Sequence, residues 1–313
     1  MFPDEGLGSC GLKKTTTKQK GLTMARRAVQ VGVNNYKSIG DLNGCLNDVT
    51  NVRGILKGLL GFTNEEIRVL TDDRATKANI LDRLNWLVKG AKSGDYLVFH
   101  YSGHGSQIRD RQGDELSDSL DELICPWDMD WNAGTYITDD DLNKIFTTLP
   151  AGVLLEVYLD SCNSGTGLRV LDLGRPSELG PPHPTLNRYI EPPVDLLARF
   201  EGEEDLLKRK KLLAGATRAP VHHILWAGCM DNQTCADAFI DGSYNGAFSY
   251  YFCKVMRETG NRLSRAEVLS RVRSALKKGN YTQTPQLETE ATTRSARFAT
   301  PEKGTTARGA GKA

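Results

Sequence analysis

The chain has 313 residues, 39% of them hydrophobic, with 40 basic side chains against 39 acidic ones. That length can bury a sizeable core as one large domain or two small ones, and a net charge of +1 offers no general attraction to nucleic acid or to an anionic membrane. No apolar run is long enough for a transmembrane helix, and seven scattered cysteines without a Cys-x-x-Cys pair argue against a disulfide framework or a zinc site and for reduced thiols in the cytoplasm.

Residues 1–24 are polar and basic without an apolar core, which predicts a disordered leader rather than a secretory signal. Residues 28–33 predict a first strand. Residues 42–60 carry Leu46, Val49, Val52, Ile55, Leu56 and Leu59 at helical spacing, with Cys45 and Asp48 three apart on one face near the start. A strand at 67–70 and a Thr76-capped helix over 76–89 follow. The apolar run from Asp95 turns at its end into Ser-Gly-His-Gly, with His104 between two glycines.

Residues 109–130 are crowded with acids, and Thr138-Asp-Asp-Asp opens a helix over 142–149. Read from composition alone, this is a solvated acidic loop followed by a helix start that favours acids. It has no EF-hand spacing that would mark calcium. Residues 153–159 form a buried strand that flips at Asp160 to small polar residues around Cys162. Pro176, Pro181, Pro182, Pro184, Pro192 and Pro193 with a basic run at 206–211 make 169–220 a long exposed linker, the kind of segment that is readily nicked. A strand at 222–228 and helices at 246–256 and 264–276 complete the order, and the tail from 291 is expected to be loosely ordered. Strands alternating with helices predict an α/β fold, a mostly parallel central sheet with helices on both faces.

Two strand ends carry the chemistry. Ligands of open α/β sheets bind just past the carboxyl ends of the strands. Most free cysteines are inert filler, but a thiol displayed there with a histidine on a second strand end can be activated as a thiolate. Neighbouring strands would bring His104 beside Cys162.

The motifs Tyr101-Ser-Gly-His-Gly-Ser, Asp160-Ser-Cys-Asn-Ser-Gly and Gly44-Cys-Leu-Asn-Asp resemble, in order, those of the metacaspases, which are caspase-like cysteine peptidases. Gly228-Cys-Met-Asp-Asn-Gln-Thr-Cys-Ala-Asp-Ala and Gln283-Thr-Pro-Gln resemble the family's small-subunit motifs. Asn163 stands where the family usually has histidine. The absence of a recruitment or zinc-finger prodomain resembles the prokaryotic-type members.

The resemblance implies a caspase-like fold with a p20-like catalytic region over 25–168, a linker over 169–220, a p10-like region over 221–290 and a disordered tail over 291–313. It implies a Cys162/His104 dyad, with oxyanion donors at the main chain of Gly105 and Cys162. Asp160 and Asp48, lined by Cys45 and Ser102, would form an acidic pocket for Arg or Lys at P1, the residue whose carbonyl is attacked. Like charge would exclude Asp there. Calcium at Asp121, Asp139 and Asp140 is implied in the same way. Self-processing in the linker would use Lys208, Arg209, Lys210, Lys211, Arg218, Arg199 or Arg188, with the 208–211 run foremost. A monomer acting on proteins or peptides, without organic cofactor, nucleic acid or membrane, is expected. The alternatives are a catalytically silent caspase-like scaffold, an Asn-specific relative, or a protease activated by a partner in signalling or defence.

Overall fold

The computed structural model describes residues 24–109, 120–132, 134–162, 183–196 and 223–299. The expected leader, up to residue 23, lies outside them. The described chain opens with β1 (Arg26–Gly32), α1 (Cys45–Gly58), β2 (Ile67–Thr71), α2 (Lys77–Val88) and β3 (Tyr96–Ser102). β4 (Gly105–Arg109), β5 (Leu120–Ile124), β6 (Ile137–Thr138), α3 (Asp139–Phe146) and β7 (Leu154–Asp160) follow. Then come β8 (Leu186–Asn187), β9 (Ile224–Ala227), β10 (Ala236–Ile240), β11 (Ser243–Gly246), α4 (Ala247–Thr259), α5 (Arg265–Lys278), β12 (Gln286–Glu288) and α6 (Ala291–Ser295).

Six strands form one sheet in the order β12-β9-β7-β3-β1-β2, parallel except for β12, which runs antiparallel to β9 at the edge. β3 lies in the middle and every residue of it is buried, as its unbroken apolar run requires in a sheet covered on both faces. Its two sides alternate. Leu97, Phe99 and Tyr101 join Ile80, Leu84 and Leu87 of α2 and Leu142 and Phe146 of α3 in one core. Tyr96 and Val98 join Val52, Ile55 and Leu56 of α1 and the apolar faces of α4 and α5 in the other. The second core also encloses a charge pair, Glu156 with Arg265. Tyr96 and Tyr158 donate to Glu156 at 3.0 and 2.7 Å and the Trp226 indole at 3.1 Å, which satisfies a carboxylate that would otherwise be costly to bury.

The starts of α2, α3 and α5 follow their capping chemistry. Thr76 accepts from the Asn79 N–H, and Ser264 with Glu267 forms a capping box. Thr138 accepts from the Asp141 N–H, so α3 begins at Asp139 rather than at 142 as its apolar spacing suggests, with three acids in its first turn.

Two expectations are corrected. The tail is ordered at its start: α6 occupies Ala291–Ser295, and Phe298 is buried in the second core beneath the Arg265 guanidinium, 4.9 Å from its ring. Within the supposedly exposed linker, Arg188 is completely buried. Among the described residues no helix is long and apolar enough to cross a membrane.

Candidate active site

The sheet register decides which loops meet. Gly32 of β1 pairs with Ser102 of β3, and Ser102 with Asp160 of β7. His104 and Cys162 each lie two residues past those paired ends, on adjacent strands, at the carboxyl edge where α/β sheets display their sites. β4 starts immediately afterwards and makes an antiparallel sheet with β5 and β6.

His104 is held by its surroundings. Its N–H donates to the Tyr36 hydroxyl at 2.7 Å, and its carbonyl accepts from Tyr101 at 2.6 Å. The ring lies 5.1 Å from that of Tyr36. Nε2 is 2.9 Å from the Gly40 carbonyl, which can only accept, so Nε2 carries the proton and Nδ1 keeps its lone pair. Burial pushes the imidazole down to about 4, with the Gly40 carbonyl opposing. The preceding Gly103 leaves no room for a side chain, since a Cβ there would sit 2.5–2.6 Å from the Tyr101 and Tyr36 hydroxyls.

Cys162 is fully buried and packs with Cys229 and Cys235, which flank the loop joining β9 to β10, and with Tyr189. The Cys162 Sγ accepts the Cys235 N–H and lies 3.6 Å from the Cys235 carbonyl. Burial opposes its thiolate, but donation from the Cys229 and Cys235 thiols and from that N–H outweighs it, so the Cys162 thiol is held below its ordinary range. The Cys229 and Cys235 thiols are pushed up in return, the former by the Cys162 sulfur and the latter by burial.

Beside the two loops lies a buried acidic pocket, and Arg188 fills it. Its Nη2 is 2.7 Å from Asp48 and 3.2 Å from Asp237, and its Nη1 is 3.3 Å from the Asp160 carboxylate. Nη1 also donates to the Ser102 hydroxyl at 2.8 Å and to the Asp160 carbonyl at 2.9 Å. The fold fixes the carboxylates first. Asp48 accepts from Ser102 at 2.8 Å and from the Gly246 N–H at 3.0 Å, Asp160 from the Ser249 N–H in the first turn of α4 at 2.9 Å, and Asp237 from the Asn43 N–H at 2.6 Å. A side chain at Gly246 would collide with the Asp160 carboxylate and the Arg188 guanidinium. Burial pushes the Asp48 carboxyl up and Arg188 pulls it back, so a cation in the pocket is what makes the acids tolerable. Cys45 lines the pocket at the start of α1, buried, its thiol pushed above its ordinary range by burial, with Arg188 opposing.

Around Arg188 the main chain lies as an added strand. Asn187 and Leu186 of β8 pair antiparallel with Ala236 and Asp237 of β10, and the Arg188 N–H donates to the Cys235 carbonyl at 3.1 Å. The Arg188 carbonyl accepts from the N–H of Gly105 at 2.8 Å and of Cys162 at 3.4 Å. Beyond it, the Ile190 N–H donates to the Gly105 carbonyl at 3.1 Å, and Ser106 donates to the Ile190 carbonyl at 2.6 Å. The chain is thus gripped on both sides of the Arg188–Tyr189 bond.

The geometry gathers Cys162, His104, Gly105, Asp160, Asp48, Cys45 and Ser102 into one place. Asp237 escaped the sequence reading. It sits inside a quoted motif, but only the pairing of β10 with β8 and β11 turns it to the pocket. Cys229 and Cys235 escaped for the same reason. Asp121 is buried on β5, and Asp139 and Asp140 open α3; β5 pairs with β6 through Leu123 and Thr138, which places these acids near one another. They are hard oxygen donors of the sort calcium takes. Among the described residues, though, the group whose ligand atoms all lie within 4.8 Å of one another is Cys162, Cys229 and Cys235. Lys208, Arg209, Lys210, Lys211, Arg199 and Arg218 fall outside the described residues.

Residues 26–173 match the family model for the metacaspase peptidase C14 domain. The chain is 36% identical over 291 residues to Metacaspase-1B of Neosartorya fischeri, covering 85% of this chain and 69% of that one. Among solved structures it resembles protein GSU0716 from Geobacter sulfurreducens, with TM-score 0.63 and 23% identity over 89% of this chain and all of that one. It also resembles Caspase-1 from Spodoptera frugiperda, with TM-score 0.53 and 15% identity over 90% of this chain and 92% of that one. The fold is therefore caspase-like, and the chain belongs to the metacaspases, a family of cysteine-type peptidases.

Proposed function

We propose that the protein is an endopeptidase that cleaves after Arg, and less readily after Lys, with Cys162 as nucleophile and His104 as acid and base, and that it processes itself at Arg188–Tyr189. The observation that carries this reading is the seat of Arg188, its guanidinium among three carboxylates and its carbonyl on two N–H groups. The Cys162 sulfur attacks that carbonyl carbon. The charge that develops on oxygen is stabilised by the N–H groups of Gly105 and Cys162, which already point at it. His104, protonated at Nε2, takes the Cys162 thiol proton on its Nδ1 lone pair as the sulfur attacks, hands that proton to the leaving amine, and then takes one from the water that releases the acyl group.

Arg suits the pocket because its planar fork reaches several carboxylates at once, whereas Lys brings one point charge on a shorter reach. A P1 Asp would add a fourth negative charge. The arrangement favours Arg188 over the 208–211 run as the self-processing site, because Arg188 already occupies the pocket. A silent scaffold has no need for this alignment of thiol, imidazole, donors and acids.

Calcium belongs to the proposal as a ligand of Asp121, Asp139 and Asp140. Bound there, it would offset carboxylate repulsion and draw β5 and the start of α3 together, next to the loop that carries His104.

The test is a gel time course of wild type and Cys162→Ala, with calcium or chelator, followed by terminal sequencing and by kinetics on peptides that differ only at P1. Fragments ending at Arg188 and beginning at Tyr189, absent from Cys162→Ala, are expected. Cleavage that survives Cys162→Ala at a tenth of the wild-type rate, or a preference for P1 Asp over P1 Arg, would overturn the reading.

A further inference from the structure

The proposed peptidase chemistry uses one of three mutually touching thiols. Cys162, Cys229 and Cys235 are all buried, and their sulfurs lie within 4.8 Å of one another. The Cys229 and Cys235 sulfurs are 2.9 Å apart, the Cys235 sulfur is 3.2 Å from the Ser161 carbonyl, and the Cys229 sulfur is 3.4 Å from the Gln233 carbonyl. Forming a disulfide, with its bond of about 2.05 Å, asks these two sulfurs to close by less than about 1 Å. Cys235 touches the Cys162 sulfur through its own N–H and carbonyl. Tyr189 packs against the group.

We propose that the trio is an oxidation relay in which a hydroperoxide oxidises Cys162 and the oxidising equivalent leaves as a Cys229–Cys235 disulfide, returning Cys162 as a thiol. The inference rests on the reading of Cys162 as the nucleophile. In the first step the Cys162 sulfur attacks the hydroperoxide, the O–O bond breaks, and the products are a sulfenic acid and an alcohol, or water when the oxidant is hydrogen peroxide. In the second, the Cys235 sulfur attacks the sulfenic sulfur, and the hydroxyl leaves as water with the Cys235 proton. In the third, the Cys229 sulfur attacks the Cys235 sulfur and Cys162 departs, taking the Cys229 proton. Two thiols and one hydroperoxide thus become one disulfide, one alcohol and one water.

The order follows from thiol chemistry. Only a thiolate attacks a peroxide quickly, and a low-pKa thiol is both the entry point and the better leaving group in the last exchange. Cys162 is the thiol held low, whereas Cys229 and Cys235 are pushed up. A nucleophile without such neighbours would proceed to the sulfinic acid, which thiols do not reverse.

The intact chain, treated with hydrogen peroxide, alkylated and mapped by mass spectrometry, tests this without reference to peptide cleavage, so failure here is distinguishable from failure of the peptidase reading. Wild type should show the Cys229–Cys235 disulfide with Cys162 still alkylatable. Cys229→Ser should stop at a Cys162–Cys235 disulfide, Cys235→Ser should accumulate oxidised Cys162 at least about tenfold faster than wild type, and Cys162→Ala should form the Cys229–Cys235 disulfide at least about tenfold more slowly. An undiminished rate in Cys162→Ala, equal over-oxidation of Cys162 in wild type and Cys235→Ser, or three unreacted thiols in wild type under excess peroxide would each overturn the relay.

Discussion

Replacing Asp48 with Asn separates charge from shape in the acidic pocket. The amide keeps the size of the carboxylate and one acceptor oxygen for the Gly246 N–H, but it removes the negative charge 2.7 Å from the Arg188 Nη2. Breaking one side of a buried, hydrogen-bonded charge pair costs about 2–5 kcal/mol. Asp160 and Asp237 remain at 3.3 and 3.2 Å, so the lower half of that range applies, about 2–3 kcal/mol. At 1.36 kcal/mol per tenfold, kcat/KM for a P1 Arg peptide should fall by about 30- to 150-fold. The same peptide with citrulline, which has the shape of Arg without its charge, should lose less than about threefold. The assay is kcat/KM for both peptides on both enzymes. Equal losses for Arg and citrulline would show that Asp48 shapes the pocket without charging it, and would refute the electrostatic argument.

Other outcomes follow from the same structure. His100 is buried on β3, and burial pushes its imidazole down to about 3, while the unfolded chain takes up its proton near 6.5. The unfolded state therefore binds more protons as pH falls from 6.5 towards 3, and stability should drop by about 2 kcal/mol at pH 5 from this residue alone; denaturant melts of His100→Gln should show a shallower acid limb, and an unchanged limb would count against the argument. Arg265→Ala leaves Glu156 buried without its cation and should cost about 3–5 kcal/mol in urea melts. Pairing Arg265→Met with Glu156→Gln should recover much of that loss, and no recovery would mean that packing dominates. Asp139→Asn with Asp140→Asn should raise the calcium concentration for half-maximal activity; full wild-type activity in chelator would remove calcium from the account.

The sequence by itself determined the parts of this protein that depend on neighbours along the chain. Apolar runs placed the central strands, apolar spacing and a capping threonine placed α2, and the turns from apolar to small residues after Ser102 and Asp160 marked the two loops that carry His104 and Cys162. Those loops meet because β3 and β7 are adjacent and in register, an arrangement that the strand–helix alternation already favoured. What only the tertiary structure decided involves partners distant in sequence. Asp237 faces the pocket through strand pairing with β8 and β11. Cys229 and Cys235 reach Cys162 only because β9 lies beside β7. Arg188, one basic residue among several in a proline-rich stretch, is singled out by the pairing of β8 with β10 and by three carboxylates brought from α1, β7 and β10. Phe298 is drawn from a polar tail into the core by Trp226, Phe252 and Arg265. Periodicity and composition report what one segment prefers. A pocket of three acids around one cation becomes favourable only when the fold supplies all four at once, so no single segment carries a signal for it.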